Sequence, residues 1–162
     1  MNKQFLLFLG IGLAVVAAIV STTWVGTKGA HLTLEAKILK VRTIATDDKN
    51  TIVVIDFRVS NPTKTQFMVK DGVISVVGPD GKEVEGDTIA RSDLNRVFDY
   101  YKVLGPKYNE VLIMRDRING GQSIDRTLAA TVTLPSTDVD ARKNLKLTLH
   151  DIDGPEFKFS ER

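Results

Sequence analysis

The segment IVVIDFRVS, residues Ile52–Ser60, has the clearest strand pattern in the 162-residue chain. Its apolar side chains recur at every second position, which is typical of a strand with one buried face. The apolar positions on that face are Val53, Ile55, Phe57 and Val59. The strand is expected to end at Asn61-Pro62, because proline cannot donate to a strand ladder and an asparagine side chain can close a turn.

Shorter alternating segments flank this strand on both sides. Upstream, a period-two pattern from His31 changes phase near Leu39, which predicts a β-bulge. Downstream, we expect strands at Phe67–Val69 and Val73–Val77, separated by a bend at Asp71-Gly72. Further strands are expected over the segments Lys82–Glu85, Tyr108–Arg115, Ile124–Leu134, Leu145–Leu149 and Phe157–Phe159. About seven or eight short strands separated by turn signals predict an antiparallel β-sandwich.

One short helix interrupts the β pattern. Its predicted apolar face contains Leu94, Val97, Phe98 and Tyr101. These residues recur at helical spacing after Ser92, which is expected to cap the N-terminus, and Gly105-Pro106 ends the segment. A single helical turn is also expected over Asp138–Lys143. Because so little helix is predicted, the fold class is mainly β: an immunoglobulin-like antiparallel sandwich with one short inserted helix.

The strand and turn sequences resemble the late-embryogenesis-abundant type-two (water-stress) domain and the related immunoglobulin-like domains of bacterial cell-surface proteins. The resemblance rests on VVIDFRVSNP at Val53–Pro62, INGGQSI at Ile118–Ile124, ATVTLP at Ala130–Pro135 and DIDG at Asp151–Gly154. It implies an immunoglobulin-like sandwich, often tethered outside the cell, with no shared enzymatic activity. The chain departs from the pattern in lacking a lipid-bearing cysteine and in its larger helix-containing stretch, Asp87–Ile118. We expect any function particular to this protein in that stretch.

The N-terminal region contains an uncharged apolar stretch, Phe5–Val25. About 20 apolar residues are enough to cross a bilayer as a helix, and Trp24, Lys3 and Lys28 occupy positions typical of the membrane interface. We therefore predict an N-terminal transmembrane helix that holds the rest of the chain on the extracytoplasmic side, in the periplasm or at the cell surface. The predicted divisions are residues 1–25 as a membrane anchor or uncleaved signal, 26–30 as a linker, and 31–162 as the β-sandwich domain.

A cleaved signal peptide is the alternative interpretation of this stretch, and it would make the protein a secreted binding domain. Val16-Ala17-Ala18 could serve as a cleavage site, but the apolar run continues through Ile19 and Val20, where a polar region should begin. Small residues recur at every fourth position of the predicted helix, and such a pattern can pack two membrane helices together. The candidate packing residues are Gly10, Ala14 and Ala18.

Composition narrows the possible partners. The chain has 22 basic and 20 acidic residues, well mixed along its length, whereas a nucleic-acid-binding domain would have a basic face. We therefore expect no nucleic-acid partner; the expected partners are the membrane, through the N-terminal helix, and a protein, which could be a second copy of the chain. No cofactor motif or metal-ligand spacing is present, so we predict neither group.

An exported hydrolase is the alternative function. It would combine carboxylates with His150, one of only two histidines, and Asp151 and Asp153 stand beside it in the sequence. The other histidine, His31, lies at the opposite end of the predicted domain. Because no catalytic signature surrounds either histidine, we expect a protein that is not an enzyme.

The aromatic and basic residues of the inserted stretch form the candidate partner-binding site. Tyrosine and arginine combine apolar area with directed hydrogen bonds, and they contribute strongly to binding energy at protein interfaces. The candidate partner-binding residues are Tyr100, Tyr101, Tyr108, Arg115 and Arg117. The alternative for Tyr101 and its helical neighbour Phe98 is that they close one open end of the sandwich core.

Overall fold

The computed structural model describes residues 10, 12–17, 19–21, 32–152 and 154–161. In the N-terminal region, the described residues 10, 12–17 and 19–21 are helical. Among all the residues described, no helix combines the length and the apolar character that crossing a bilayer would require.

Nine strands in this part of the chain form two antiparallel sheets. The first sheet contains, in spatial order, β1 (Glu35–Ala45), β2 (Thr51–Ser60), β7 (Ser123–Val132) and β5 (Asp87–Thr88). The second contains β4 (Glu83–Glu85), β3 (Phe67–Val77), β8 (Asn144–Asp151) and β9 (Glu156–Ser160), and β6 (Arg117–Ile118) pairs with one end of β3. The predicted mainly β, antiparallel sandwich is therefore confirmed.

Strand β2 packs against other parts of the protein on both of its faces. Its predicted apolar face is fully buried between the sheets, where Phe57 and Ile55 pack in one core cluster with Ile74 of β3 and Leu147 of β8. On the opposite face Ile52, Val54 and Asp56 are also buried, because Asp87–Ile118, the inserted stretch, covers this part of the strand, whereas Arg58 is exposed. Burial on both faces explains why the first half of the strand is apolar at consecutive positions, Ile52–Ile55.

Two register shifts interrupt the strand pairing, and the sequence predicted one of them as a β-bulge. The register of β1 against β2 shifts between Ile38 and Lys40, which confirms the phase change predicted near Leu39. The predicted break at Asp71-Gly72 is wrong, because β3 runs continuously from Phe67 to Val77. The local irregularity is a register shift between Val69 and Asp71 that leaves the strand intact.

The strand predicted over Tyr108–Arg115 is also wrong. This segment is a loop along the part of β7 that β5 leaves unpaired, and it is joined to β7 by an isolated parallel bridge between Val111 and Thr127. The Thr127 N–H donates to the carbonyl of Glu110 at 2.8 Å, and the Leu112 N–H donates to the carbonyl of Thr127 at 2.9 Å. Val111 and Leu112 are both buried, each in a different core cluster, which explains why both faces of the segment are partly apolar.

The inserted helix is present as α1 (Arg91–Tyr100), and a 3-10 helix (Lys102–Leu104) follows it. The predicted cap is wrong: the N-cap residue is Ala90, it makes no side-chain capping bond, and Ser92 lies inside the helix. The second helix, α2 (Ser136–Asp140), begins two residues earlier than predicted and packs beside β1.

Candidate protein-binding surface

The outer face of the first sheet carries a second apolar layer. Residues 91–111, which we call the cover segment, place α1, the 3-10 helix and the following loop over this face. The buried residues of the layer are Ile52, Val54 and Ala129 from the sheet and Leu94, Phe98, Leu104 and Val111 from the cover segment. Phe98 therefore packs on the outside of a sheet and does not close an end of the sandwich.

A buried ion pair fixes the cover segment to the sheet. Arg42 of β1 donates from Nη2 to Oδ2 of Asp56 of β2 at 2.7 Å, and the two side chains are 7% and 4% exposed. The other terminal nitrogen of Arg42, Nη1, donates to the carbonyls of Leu104 at 2.8 Å and Pro106 at 2.9 Å. One guanidinium thus holds both a neighbouring strand and two backbone positions of the cover segment.

The second carboxylate oxygen of Asp56 extends this network. Oδ1 accepts a hydrogen bond from Asn109 Nδ2 at 3.1 Å and another from the hydroxyl of Thr127 on β7. The guanidinium carbon of Arg42 also lies 4.9 Å from the ring centre of Phe98 and 5.4 Å from that of Tyr108. Contacts of this kind add cation–π attraction to the hydrogen bonds.

Sequence reasoning missed this network. Asp56 occupies the polar face predicted for β2, where it reads as an ordinary solvent-facing residue, and Arg42 stands just past the phase change of β1. The pattern contains no sign that residues 104–109 would enclose them, since Leu104 is 62 positions from Arg42 and Asn109 is 53 positions from Asp56.

The cover segment leaves a set of large side chains in solvent. Tyr100 is 80% exposed, Val103 is 79% exposed and Tyr108 is 58% exposed. Tyr101, half-buried, meets Tyr100 edge to face with ring centres 4.8 Å apart, and Lys40 Nζ lies 4.9 Å from the ring centre of Tyr108. We call Tyr100, Tyr101, Val103 and Tyr108 the tyrosine surface.

A groove of about 540 Å³ runs along the cover segment. It is lined by Asn95, Phe98, Asp99, Lys102, Gly105, Pro106 and Lys107. Two contacts define its polar rim: Lys107 Nζ donates to Asn95 Oδ1 at 3.1 Å, and Lys102 Nζ lies 3.6 Å from Asp99 Oδ1. A shallow groove with an aromatic floor and a mixed-charge rim suits a peptide or protein surface better than an enclosed small molecule.

The structure separates the five predicted partner-binding residues into two groups. Tyr100, Tyr101 and Tyr108 belong to the cover segment over the first sheet. The backbone N–H of Arg115 donates to the carbonyl of Val69 at 2.7 Å, and Arg117 lies in β6, paired with β3. Both arginines are exposed, but they belong to the edge of the second sheet, so the tyrosine surface does not include them.

His150 sits on the outer face of the second sheet between two carboxylates. Its Nδ1 is bonded to Asp71 of β3, and its Nε2 lies 3.4 Å from Glu156 Oε2 of β9. Asp151 does not join this group, since its Oδ1 accepts the backbone N–H groups of Met68 and Ile152. Both ring nitrogens of His150 therefore face carboxylates of the neighbouring strands.

The other predicted positions give less information. His31, Asp153 and Ala18 lie outside the described residues, and Gly10 and Ala14 are helical and exposed. Among the described residues, no group of three or more histidine, aspartate or glutamate side chains is arranged to hold a metal ion.

The Lys158 side chain bonds to Glu156 and lowers the pKa of that carboxyl, an effect typical of a surface ion pair.

Comparison with known proteins identifies no family for the chain. No family model matches it, and no curated protein matches it. Solved structures similar to it include a candidate lipoprotein from Bacillus subtilis, with 13% identity and a TM-score of 0.47. That match covers 78% of this chain and 35% of the Bacillus protein, so the chain spans about a third of its length.

Two further solved structures match over most of both chains. An uncharacterized β-sandwich protein from Clostridium difficile is 11% identical with a TM-score of 0.41, and the match covers 82% of this chain and 90% of that one. A functionally unknown protein from Listeria monocytogenes is 15% identical with a TM-score of 0.41, and the match covers 80% of this chain and 72% of that one. The resemblance to the water-stress domain stays a prediction from the sequence.

Proposed function

We propose that this protein is a membrane-tethered, extracytoplasmic β-sandwich of immunoglobulin-like type that binds a protein or another envelope component without catalysing a reaction. The observation that carries the proposal is the exposure of Tyr100, Val103 and Tyr108 on one segment whose backbone is fixed by buried hydrogen bonds. Large exposed apolar and aromatic side chains on a fixed scaffold are the usual anchors of protein interfaces.

The buried network supports this assignment because it prepares the surface for binding. Ordering a flexible loop on association reduces affinity, whereas a loop that is already ordered avoids that loss. Arg42 holds the loop carbonyls on one side of Tyr108, and Asp56 holds Asn109 on the other. Tyr108 therefore lies between two loop positions, Pro106 and Asn109, that hydrogen bonds to the first sheet hold in place.

The tether and the location rest on the sequence. Phe5–Val25 has the length and composition of a membrane anchor, and a short N-terminal anchor of this kind places the following domain outside the cytoplasm. The partner is a separate protein or a second copy of this chain.

Crosslinking in native membranes tests the binding proposal. The full chain and the variants Tyr100→Ala and Tyr108→Ala are captured after crosslinking, with Thr137→Ala, an exposed position on α2, as the matched control. We expect both tyrosine variants to fold normally and to lose most of the crosslinked species that the wild type and the control retain. Equal capture by all four proteins would remove the tyrosine surface from the proposal.

Labelling of a single cysteine tests the location. The chain contains no cysteine, so Thr137→Cys introduces a unique thiol at an exposed position. We expect a membrane-impermeant maleimide to label this thiol in intact spheroplasts. Labelling only after the membrane is permeabilised would place the domain in the cytoplasm.

A further inference from the structure

The chain enters the sandwich at one end, and two loops lie at that same end. Glu35, the first residue of β1, pairs with Ser60, the last residue of β2. Asn61 then joins the loop that follows β2 to the loop before β7: its N–H donates to the carbonyl of Gln122 and its side-chain Nδ2 donates to that of Ile118. We call this part of the molecule the entry end.

Four cationic side chains are exposed at or beside the entry end. They are Lys64, Lys70, Arg115 and Arg117. In the part of the chain that the structure describes, none of the four has a carboxylate within ion-pair distance.

Three described acidic side chains nearby bond to other groups. Asp116 pairs with Arg126 at 3.0 Å, and Asp71 is bonded to His150. Asp151 accepts two backbone N–H groups. Glu35, at the entry end itself, has no ion-pair partner among the described residues, but none of these four carboxylates lies within ion-pair distance of the four cations.

Exposed apolar side chains lie among these cations. Met114 is 67% exposed, Ile113 is 39% exposed and Ile152 is 37% exposed. Ile113 and Met114 line the same cavity of about 200 Å³ as Lys70. Ile152 is linked to the group through Met68, whose carbonyl accepts its N–H at 3.0 Å and which pairs with Arg117 across β3 and β6.

We propose that the entry end docks on the membrane surface, with its four cations against anionic phospholipid headgroups and its apolar side chains at the headgroup boundary. This inference rests on the proposed membrane anchor. Only six residues, 26–31, separate Val25 from Leu32, and a fully extended chain over those seven Cα–Cα steps reaches about 25 Å. The entry end therefore stays within a short distance of the bilayer.

A lipid surface fits this end better than a folded protein does. Clustered basic residues beside a membrane anchor attract anionic lipids, and each one strengthens the association by about fivefold. Exposed apolar side chains among cations are typical of interfacial contact, and two of the four cations are lysines, a residue of which protein-interface cores are depleted. The tyrosine surface, held over the first sheet, remains available for a partner.

The test places the full chain in vesicles of neutral phosphatidylcholine or of phosphatidylcholine with phosphatidylglycerol. A fluorophore on Met114→Cys reports contact with spin-labelled headgroups, and one on Thr137→Cys reports the same for α2. We expect about threefold stronger quenching at position 114 than at 137, only with the anionic lipid. Equal quenching at both positions, or quenching that ignores lipid charge, would overturn the docking proposal and leave a protein as the candidate for this end.

A charge-matched pair of variants completes the experiment. Lys64→Gln, Arg115→Gln and Arg117→Gln together should abolish the extra quenching. The control triple, Lys49→Gln, Lys82→Gln and Lys143→Gln, changes exposed residues at the opposite end and should leave it unchanged. An equal loss in both triples would show an effect of net charge alone and would contradict docking through the entry end.

Flotation separates this inference from the anchor on which it rests. A chain that fails to float with neutral vesicles contradicts the anchor. In that case, docking still predicts that the chain floats with anionic vesicles and that the variant with Lys64→Gln, Arg115→Gln and Arg117→Gln does not. A chain that floats with neither lipid contradicts docking as well.

Discussion

Arg42 and Asp56 form an ion pair, with Nη2 and Oδ2 2.7 Å apart, between neighbouring strands of the first sheet. The pair lies on the outer face of the first sheet and beneath the cover segment. A buried pair of this kind contributes little net stability by itself, because both charges lose their hydration. Its effect here is to specify where residues 104–109 sit, since Leu104, Pro106 and Asn109 all bond to it.

Asp56→Ala should be strongly destabilising. It leaves the Arg42 guanidinium buried without a counter-charge, and removal of one partner from a buried pair lowers the free energy of unfolding by about 3–5 kcal/mol. Urea unfolding of the variant measures the loss. The control is Asp125→Ala, which breaks the solvent-exposed pair with Arg58 and should give a much smaller change.

Replacing both partners should be far milder than removing one. Arg42→Met with Asp56→Leu substitutes apolar groups for both charges, so neither is left buried alone. We expect the double variant to be more stable than Asp56→Ala while Tyr108 loses its fixed position. A double variant as unstable as the single one would contradict this expectation and would show that the stability of the sandwich depends on the whole network.

Leu94→Ala should loosen the cover segment more than the sandwich. Leu94 is fully buried in the layer outside the first sheet, and such truncations lower stability by about 2–5 kcal/mol. Hydrogen exchange should accelerate mainly at the amides of α1, with little change in β2 or β8. The control Arg96→Ala alters an exposed helix position, and uniform acceleration across all strands would contradict a separable layer.

Asn61→Ala should destabilise the entry end. The Asn61 side chain donates to the carbonyls of Thr65 and Ile118 and accepts the N–H and hydroxyl of Thr63. Its loss leaves partly buried polar groups unpaired, and we expect thermal unfolding to show about 1–3 kcal/mol less stability. Asn119→Ala, at an exposed position of the facing loop, is the control and should be close to neutral.

The Arg58–Asp125 pair should make stability depend on pH in the acid range. The hydrogen bond from Arg58 lowers the pKa of Asp125 from its ordinary value of 3.8. A lowered folded-state pKa stabilises the protein above the unfolded value, and this stabilisation is lost as pH falls through the folded value.

Comparison with the neutral variant checks this dependence. The stability difference between wild type and Asp125→Asn should be present at neutral pH and should shrink as the pH falls below the ordinary aspartate pKa of 3.8. Asp48→Asn, at an exposed turn position, controls for the loss of one carboxylate. An unchanged difference across the acid range would contradict the prediction.

The strands of the sandwich could be predicted from the sequence better than the path of the cover segment and the loop that follows it. Alternation in β2 and the phase change at Leu39 are local signals, and both are present in the structure. The path of residues 102–116 depends on contacts with Arg42, Asp56 and Thr127, which are distant in sequence. No local pattern encodes such contacts, and for this reason the strand predicted over Tyr108–Arg115 is wrong.

Contacts with distant strands also separate the residues of the predicted partner-binding site. Tyr108 and Arg115 are seven positions apart and were predicted together, yet one contacts β1 and the other β3. Exposure of Tyr100 was predicted correctly, because helical phase alone separates it from the face of α1 that contains Leu94 and Phe98.

The bulge in β1 affects how readily copies of the chain can associate through this strand. Strand β1 is an edge of the first sheet, and an edge strand offers unpaired backbone groups to neighbouring molecules. The register shift between Ile38 and Lys40 interrupts that row, and Lys37 and Lys40 place charges beside it. We therefore expect copies of this chain at high concentration to resist joining edge to edge into an extended aggregate.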